Sequence, residues 1–486
     1  MNWYEIFKTL FGYNPEEPML FTSGIFLIWY FLFLLIYSIL YKNNLYRTLW
    51  VILFSFFFYY KSSGVYLVIL CFSILLDYYV AQWIYQSNNP SFRKLLLIIS
   101  ISCNLILLGY FKYTNLILSS FYSILGQSFK PLDIFLPIGI SFYTFQTISY
   151  IVDVYRKEIK PTKNLLDYTF YMSFFPHLVA GPIVRARDFL PQIYQKLEIK
   201  NEQIQEGLWM ILKGFIKKAI IADYIAQYND LVFGSVKSYS GFENLMGLYG
   251  YALQIYCDFS GYSDMAIGFA LIMGYRLLPN FNSPYVSLNI TEFWRRWHIS
   301  LSHWLRDYVY IPQGGNRKGL FWQNVFLLNT MLIGGLWHGA DWKFVLWGAI
   351  HGIALIFHKL FQQYVKIKEN MFFDVFSWFI TFHLVAFLWV YFRANSFDEA
   401  NDFIYHLFTA FDAAYFIPFL NVRGLFCVLL SIGYTLHFMP NGYKNYFFQS
   451  FSKAPFILKA ILFIVVIQIM IQIRSETVQP FIYFQF

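Results

Sequence analysis

From Met19 onward the chain alternates long apolar runs with short polar stretches. A helix needs roughly 20 apolar residues to cross a bilayer. The runs that approach this are Met19–Leu40, Leu49–Tyr60, Gly64–Tyr79, Leu95–Phe111, Ile134–Val152 and Leu165–Val179. They continue with Gly207–Ile225, Phe242–Phe259, Met265–Leu278, Leu320–Trp337, Phe344–Phe357, Phe373–Phe392, Gly424–Phe438 and Ala460–Ile473. Several are short, so about eleven to thirteen true spans are expected, the others being interfacial or re-entrant. Polar stretches such as Tyr155–Lys163 and Gln195–Glu206 are only loop-sized. The pattern therefore predicts an all-α, polytopic membrane protein with one membrane domain over residues 1–486, because helices satisfy their own backbone groups in lipid. Residues 1–18, with Glu5, Glu16 and Glu17 against Lys8 alone, lack the basic start of a signal peptide and read as an interfacial helix. Residues 130–394 form the expected catalytic core, and 395–486 add C-terminal helices.

Three segments depart from this alternation. Phe174–Arg185 carries Pro176, Gly181 and Pro182 in an apolar setting, which predicts a helix break or re-entrant turn. Tyr256–Asp264 places Asp258 and Asp264 between two apolar runs. In Asn289–Gly319, Trp294, Trp297, Leu301, Trp304 and Leu305 recur at spacings of three and four, and the arginines fall largely elsewhere. That spacing predicts one amphipathic helix on or partly in the membrane, with His298 at the boundary of its apolar stripe.

Composition sharpens the class. The 486 residues are 58% hydrophobic and 13% charged, against about 25% charged in soluble domains. A soluble protein is excluded. The net charge of +9 lies in short loops, where positive-inside bias accounts for it without nucleic acid. The four cysteines are scattered and form no CxxC pair, which argues against disulfides and a zinc site.

The chemistry concentrates on histidines. His338 lies in Leu332–Gly339, after an uncharged stretch and before a second apolar run. Ionisable groups at membrane depth are costly and are usually kept for pathways or chemistry. Its candidate role is acid/base catalysis toward a hydroxyl; the bland alternative is a core histidine hydrogen-bonded between helices. His298 is the candidate second catalytic group, set against a merely solvated interfacial histidine. Asp258 and Ser260, with Trp297 and Trp337 beside the histidines, are candidate lining of a cavity; a structural network is the alternative. Arg317 and Lys318, in the Gly-rich turn Gln313–Gly319, are candidate phosphate contacts, with an ordinary cytoplasmic turn as the equal alternative. His351 and His358 read as bundle histidines. No HExxH motif or helical i,i+4 histidine pair suggests a metal, and neither a GxSxG elbow nor a Walker A motif occurs.

These segments together resemble the membrane-bound O-acyltransferase family, in its bacterial branch of alginate and peptidoglycan O-acetyltransferases, with the D-alanyl transfer proteins as more distant relatives. The resemblance runs from about Met19 to Ala394, through Leu136–Tyr143, Phe175–Pro182, Gly214–Lys218, Asp258–Gly268, Glu292–Leu301, Trp304–Tyr308, Gly314–Lys318, Gly334–Ala340 and Val390–Ala394. It implies helices arranged around a central tunnel, with His338 as the catalytic histidine and His298 as the second polar residue of the site. It further implies acetyl-CoA as donor from the cytoplasm, no permanently bound cofactor, and an extracytoplasmic partner protein that acetylates a polysaccharide. Two positions depart from the family pattern: His303 stands where a small hydroxyl residue is expected, and Asp341 where asparagine is commoner. The alternatives are an exporter of a glycan or lipid, and a family member that acylates a lipid or protein.

Overall fold

In the computed structural model, residues 3–365 and 370–473 are described. Among them the chain is helical throughout, with no strand. It divides into two compact units: Met1–Leu208 with Met265–Leu278, and Trp209–Asp264 with Pro279–Phe486. Among the described residues, five helices are individually long and apolar enough to cross a membrane: Asn44–Gln86, Pro90–Ile124, Trp342–Tyr364, Met371–Arg393 and Phe456–Ile473. Two bent pairs, Phe397–Thr409 with Ala413–Val422 and Gly424–Phe438 with Asn441–Lys453, are each a broken span or a re-entrant loop, and counting each as one span gives seven. The sequence pattern counts more because some of its apolar runs fold as short or merged helices.

The first unit contains the helix break expected from its prolines. The helix Leu165–Ser173 has only 9 residues, about 14 Å of rise, well short of the hydrocarbon core. The run Leu165–Val179 is therefore no continuous span. A single turn, Phe175–Leu178, follows it, and Gly181 then takes a positive φ of 117°. The N-terminal helix, expected over residues 1–18, occupies Trp3–Phe11.

Two corrections to the sequence pattern fall near the site. The runs Phe242–Phe259 and Met265–Leu278 are one uninterrupted helix, Gly241–Ile272, of 32 residues. Asp258 and Asp264 do not break it, because lysines neutralise both. Lys218 Nζ lies 2.5 Å from Asp258 and Lys217 Nζ 2.8 Å from Asp264. These lysines occupy a π-helical segment, Ile216–Ala222, inserted between the helices Asn201–Phe215 and Asp223–Gly234. Second, the amphipathic helix expected across Trp294–Leu305 is two short helices, Ile290–Arg296 and Ile299–Leu305. The break falls at His298, whose backbone is left-handed, with φ 42° and ψ 56°. A non-glycine residue in that region is strained and is held there by its surroundings.

The helix Leu320–His338 ends on its histidine and packs closely against Trp342–Tyr364. Asp341 caps the second helix, its side chain accepting from Lys343 N at 2.8 Å, so the residue that departs from the family pattern has a local structural role. Gly335 and Gly348 face each other where the two helices cross. A Cβ on Gly335 would collide with the Phe344 carbonyl, and one on Gly348 with the Met331 carbonyl. Gly335→Ala must force the helices apart, a strain of about 1–3 kcal/mol. It is expected to lower the thermal midpoint of the purified protein, whereas Gly424→Ala, which meets open space, should leave it unchanged.

Candidate active site

All the candidate site residues belong to the second unit. His338 is 1% exposed. Edge-on aromatic rings surround it: Trp347 at 5.0 Å between centroids, Trp337 at 5.1 Å and Phe392 at 5.3 Å. Trp337 also lies 5.6 Å from His298, so one indole bridges the two imidazoles. Phe259 closes the other side of His298 at 4.6 Å. The structure thus brings together His338, His298 and Trp337, three of the residues read from the sequence. Trp297 is fully buried beside them, its ring tilted against Trp389 at 4.9 Å and edge-on to Phe281 at 5.1 Å.

The hydrogen bonds of His298 fix its protonation pattern. Asn280 Oδ1 accepts from Ser300 N at 3.2 Å and from Ser300 Oγ at 2.8 Å. A backbone N–H can only donate, so the Asn280 atom facing it is the carbonyl oxygen. That same oxygen lies 3.1 Å from His298 Nδ1. Nδ1 therefore carries the proton, and Nε2 of the neutral ring is a bare lone pair. Nε2 is buried and has no hydrogen-bond partner among the described residues. A buried acceptor left open costs about 1–3 kcal/mol unless a ligand or water satisfies it. The left-handed backbone at His298 and the Asn280 anchor together aim this acceptor.

Asp258 and Ser260 are placed differently. Asp258 pairs with Lys218, which also meets Asp223 at 2.7 Å. Ser260 Oγ accepts from Lys217 at 2.7 Å. Phe259, between them in sequence, is the residue that touches His298. Arg317 and Lys318 lie on the exposed turn expected for them, where Gly314 and Gly315 supply the positive φ values of 134° and 55°. The Lys318 ammonium sits 5.6 Å from the Phe326 ring.

His351 belongs to the same cluster, although the sequence reading left it as a bundle residue. It is fully buried, its ring is 4.5 Å from Trp347, and its Nδ1 accepts from Trp294 Nε1 at 3.3 Å. One signal was available: His351 stands four residues after Trp347 on one helix, hence on the same face. His303 is exposed.

Two buried imidazoles share one tryptophan, and one of them has a fixed lone pair, an arrangement whose chemistry can include proton transfer in a water-poor setting. Over residues 80–397 the chain matches the membrane-bound O-acyltransferase family, and it belongs to that family. It is a multi-pass membrane acyltransferase. Among its relatives is the peptidoglycan O-acetyltransferase of Helicobacter pylori, 39% identical over 387 residues, which cover 74% of this chain and 73% of that protein. The probable alginate O-acetylase AlgI of Pseudomonas putida is 37% identical over 502 aligned positions, 96% of this chain and 100% of the relative. The teichoic acid D-alanyltransferase of Bacillus subtilis is more distant, 30% identical over 282 residues, 54% of this chain and 70% of its own length.

Proposed function

We propose that this protein is an O-acetyltransferase of the bacterial cytoplasmic (inner) membrane. It takes acetyl from cytoplasmic acetyl-CoA and delivers it toward O-acetylation of an extracytoplasmic polysaccharide, of the alginate or peptidoglycan kind, through a periplasmic partner protein. The observation that carries this reading is the His298–Trp337–His338 arrangement, in a chain similar to relatives named for these two acetylations.

In this reading the acceptor hydroxyl attacks the thioester carbonyl while His338 takes its proton. The tetrahedral intermediate then collapses, the C–S bond breaks, and His338 returns the proton to the departing thiolate, giving an acetyl ester and coenzyme A. Acid/base help of this kind is worth roughly 10²–10⁴ in rate. A hydroxyl has one proton and cannot give it to both rings. The lone pair on His298 Nε2 therefore suits a different donor, an amide N–H of the pantetheine arm, and so orients the thioester. Trp337 separates the two roles and, with Trp347 and Phe392, keeps water away from the thioester.

Deleting the gene in its host tests this against export. Alkali-labile acetate should disappear from the extracytoplasmic polymer while the amount of polymer stays the same. Loss of the polymer itself, with normal acetylation of what remains, would favour an exporter.

A further inference from the structure

A cationic patch lies on the loop that anchors His298. Lys217 Nζ sits 5.4 Å from the Tyr256 ring centroid, and that ring is 4.4 Å from His437. The His437 carbonyl accepts from Lys444 Nζ at 3.2 Å. Lys444 stands in the first turn of the helix Asn441–Lys453, just after the bend that Pro440 begins. Its ammonium also donates to Ser283 Oγ at 2.7 Å. Both of these partners are neutral, so no carboxylate balances it among the described hydrogen bonds. The charges in its field are further cations, Lys217, Lys213 and Arg296. Arg296 in turn holds the same loop, donating to the Asn282 carbonyl at 3.1 Å. Four cations thus meet two carboxylates, Asp264 with Lys213 and Lys217, and Glu292 with Arg296. Lys213, Lys217 and Arg296 keep 33%, 22% and 29% of their side chains accessible, so the patch is open to a ligand without being loosely solvated.

Concentrating like charge in a partly buried place is unfavourable unless an anion completes it. The anchoring is specific as well. Ser283, which Lys444 holds, has a strained left-handed backbone of φ 43°, and Asn280, three residues earlier, sets the His298 tautomer. An anion bound here would brace the same loop that aims the site.

We propose that Lys213, Lys217, Arg296 and Lys444 form a phosphate-binding subsite that holds the phosphates of the coenzyme A donor, in place of the Gly-rich turn with Arg317 and Lys318. The assignment to the donor rests on the function proposed above; an anionic lipid headgroup offers the same phosphate chemistry. Lysine and arginine bind phosphate through charge-assisted hydrogen bonds. The subsite therefore recognises the nucleotide end of the donor, while the histidines handle the thioester.

The test uses the full chain in phosphatidylcholine nanodiscs, with binding of coenzyme A measured beside turnover of acetyl-pantetheine, which has no phosphate. Lys444→Gln and Lys213→Gln should each weaken coenzyme A binding about tenfold, more at low salt, and lower acetyl-pantetheine turnover far less. Lys444→Arg should restore binding, and the double variant Arg317→Gln/Lys318→Gln should bind as the unaltered chain does. Unchanged binding in the two lysine variants, or loss in the Arg317/Lys318 variant instead, overturns the subsite. So does an equal loss of acetyl-pantetheine turnover. Retention of coenzyme A binding with loss of bound phosphatidylglycerol from mixed nanodiscs would assign the patch to lipid. Failure of the unaltered chain to bind coenzyme A would overturn the proposed function itself, and the subsite with it.

Discussion

Replacing His338 by alanine is expected to abolish O-acetylation, with extracytoplasmic acetyl esters at the level of a gene deletion, while the protein still inserts and accumulates. The size of the effect follows from the site. His338 is the last residue of its helix and is closed in by Trp337, Trp347 and Phe392, so no neighbouring solvent base stands ready to replace it. Losing a positioned base costs roughly 10²–10⁴ in rate. Folding should survive, since alanine is tolerated at the end of a helix and Trp347 keeps ring contacts that do not involve His338: it stacks on Trp389 at 5.6 Å and lies 5.6 Å from Phe392. The check is the ester content of the polymer together with the amount of protein in the membrane. Normal acetylation in a well-expressed variant would remove His338 from the chemistry.

His298→Ala is the second large loss, about a hundredfold in kcat/KM for acetyl-CoA. A single neutral hydrogen bond is worth only about tenfold, but a misplaced thioester costs far more, since a shift of about 1 Å is worth about 10² in rate. Ser300→Ala separates aim from packing. It removes one of the donors to Asn280 Oδ1 but keeps the Ser300 N–H and the His298 Nδ1 bond, so activity should fall only a few-fold. Steady-state kinetics on the purified variants distinguish the two. Equal losses would mean that the loop as a whole, and not the Nε2 lone pair, is what matters.

Much of this site was legible along the chain, and the parts that were not share a physical reason. The glycine-flanked His338 at the end of an apolar run marks a helix terminus in the sequence, and the structure ends the helix there. Pro176, Gly181 and Pro182 likewise announced a break. The left-handed turn at His298 was hidden because each half keeps its own spacing of three and four. Trp294 lies in one short helix, and Leu301, Trp304 and Leu305 lie in the other. A helical wheel registers the spacing and is blind to a reversal between the halves. Asp258 and Asp264 look like a gap between spans when seen alone, yet their partners Lys218 and Lys217 lie some 40 to 47 residues upstream. The hydrogen bond of His351 is likewise long-range, its indole partner Trp294 being 57 residues away. Pairings at that range decide burial and charge, and no local pattern reports them.

The central claim is that the buried His338 imidazole takes part in breaking an acyl thioester. Its most direct test is the release of coenzyme A thiol from acetyl-CoA by the purified protein in nanodiscs, with an acceptor hydroxyl supplied, compared with the His338→Ala variant. The account predicts thiol release that depends on the protein and on the acceptor, and that falls to background in the variant. Equal release by both, or none by the unaltered chain, would contradict it.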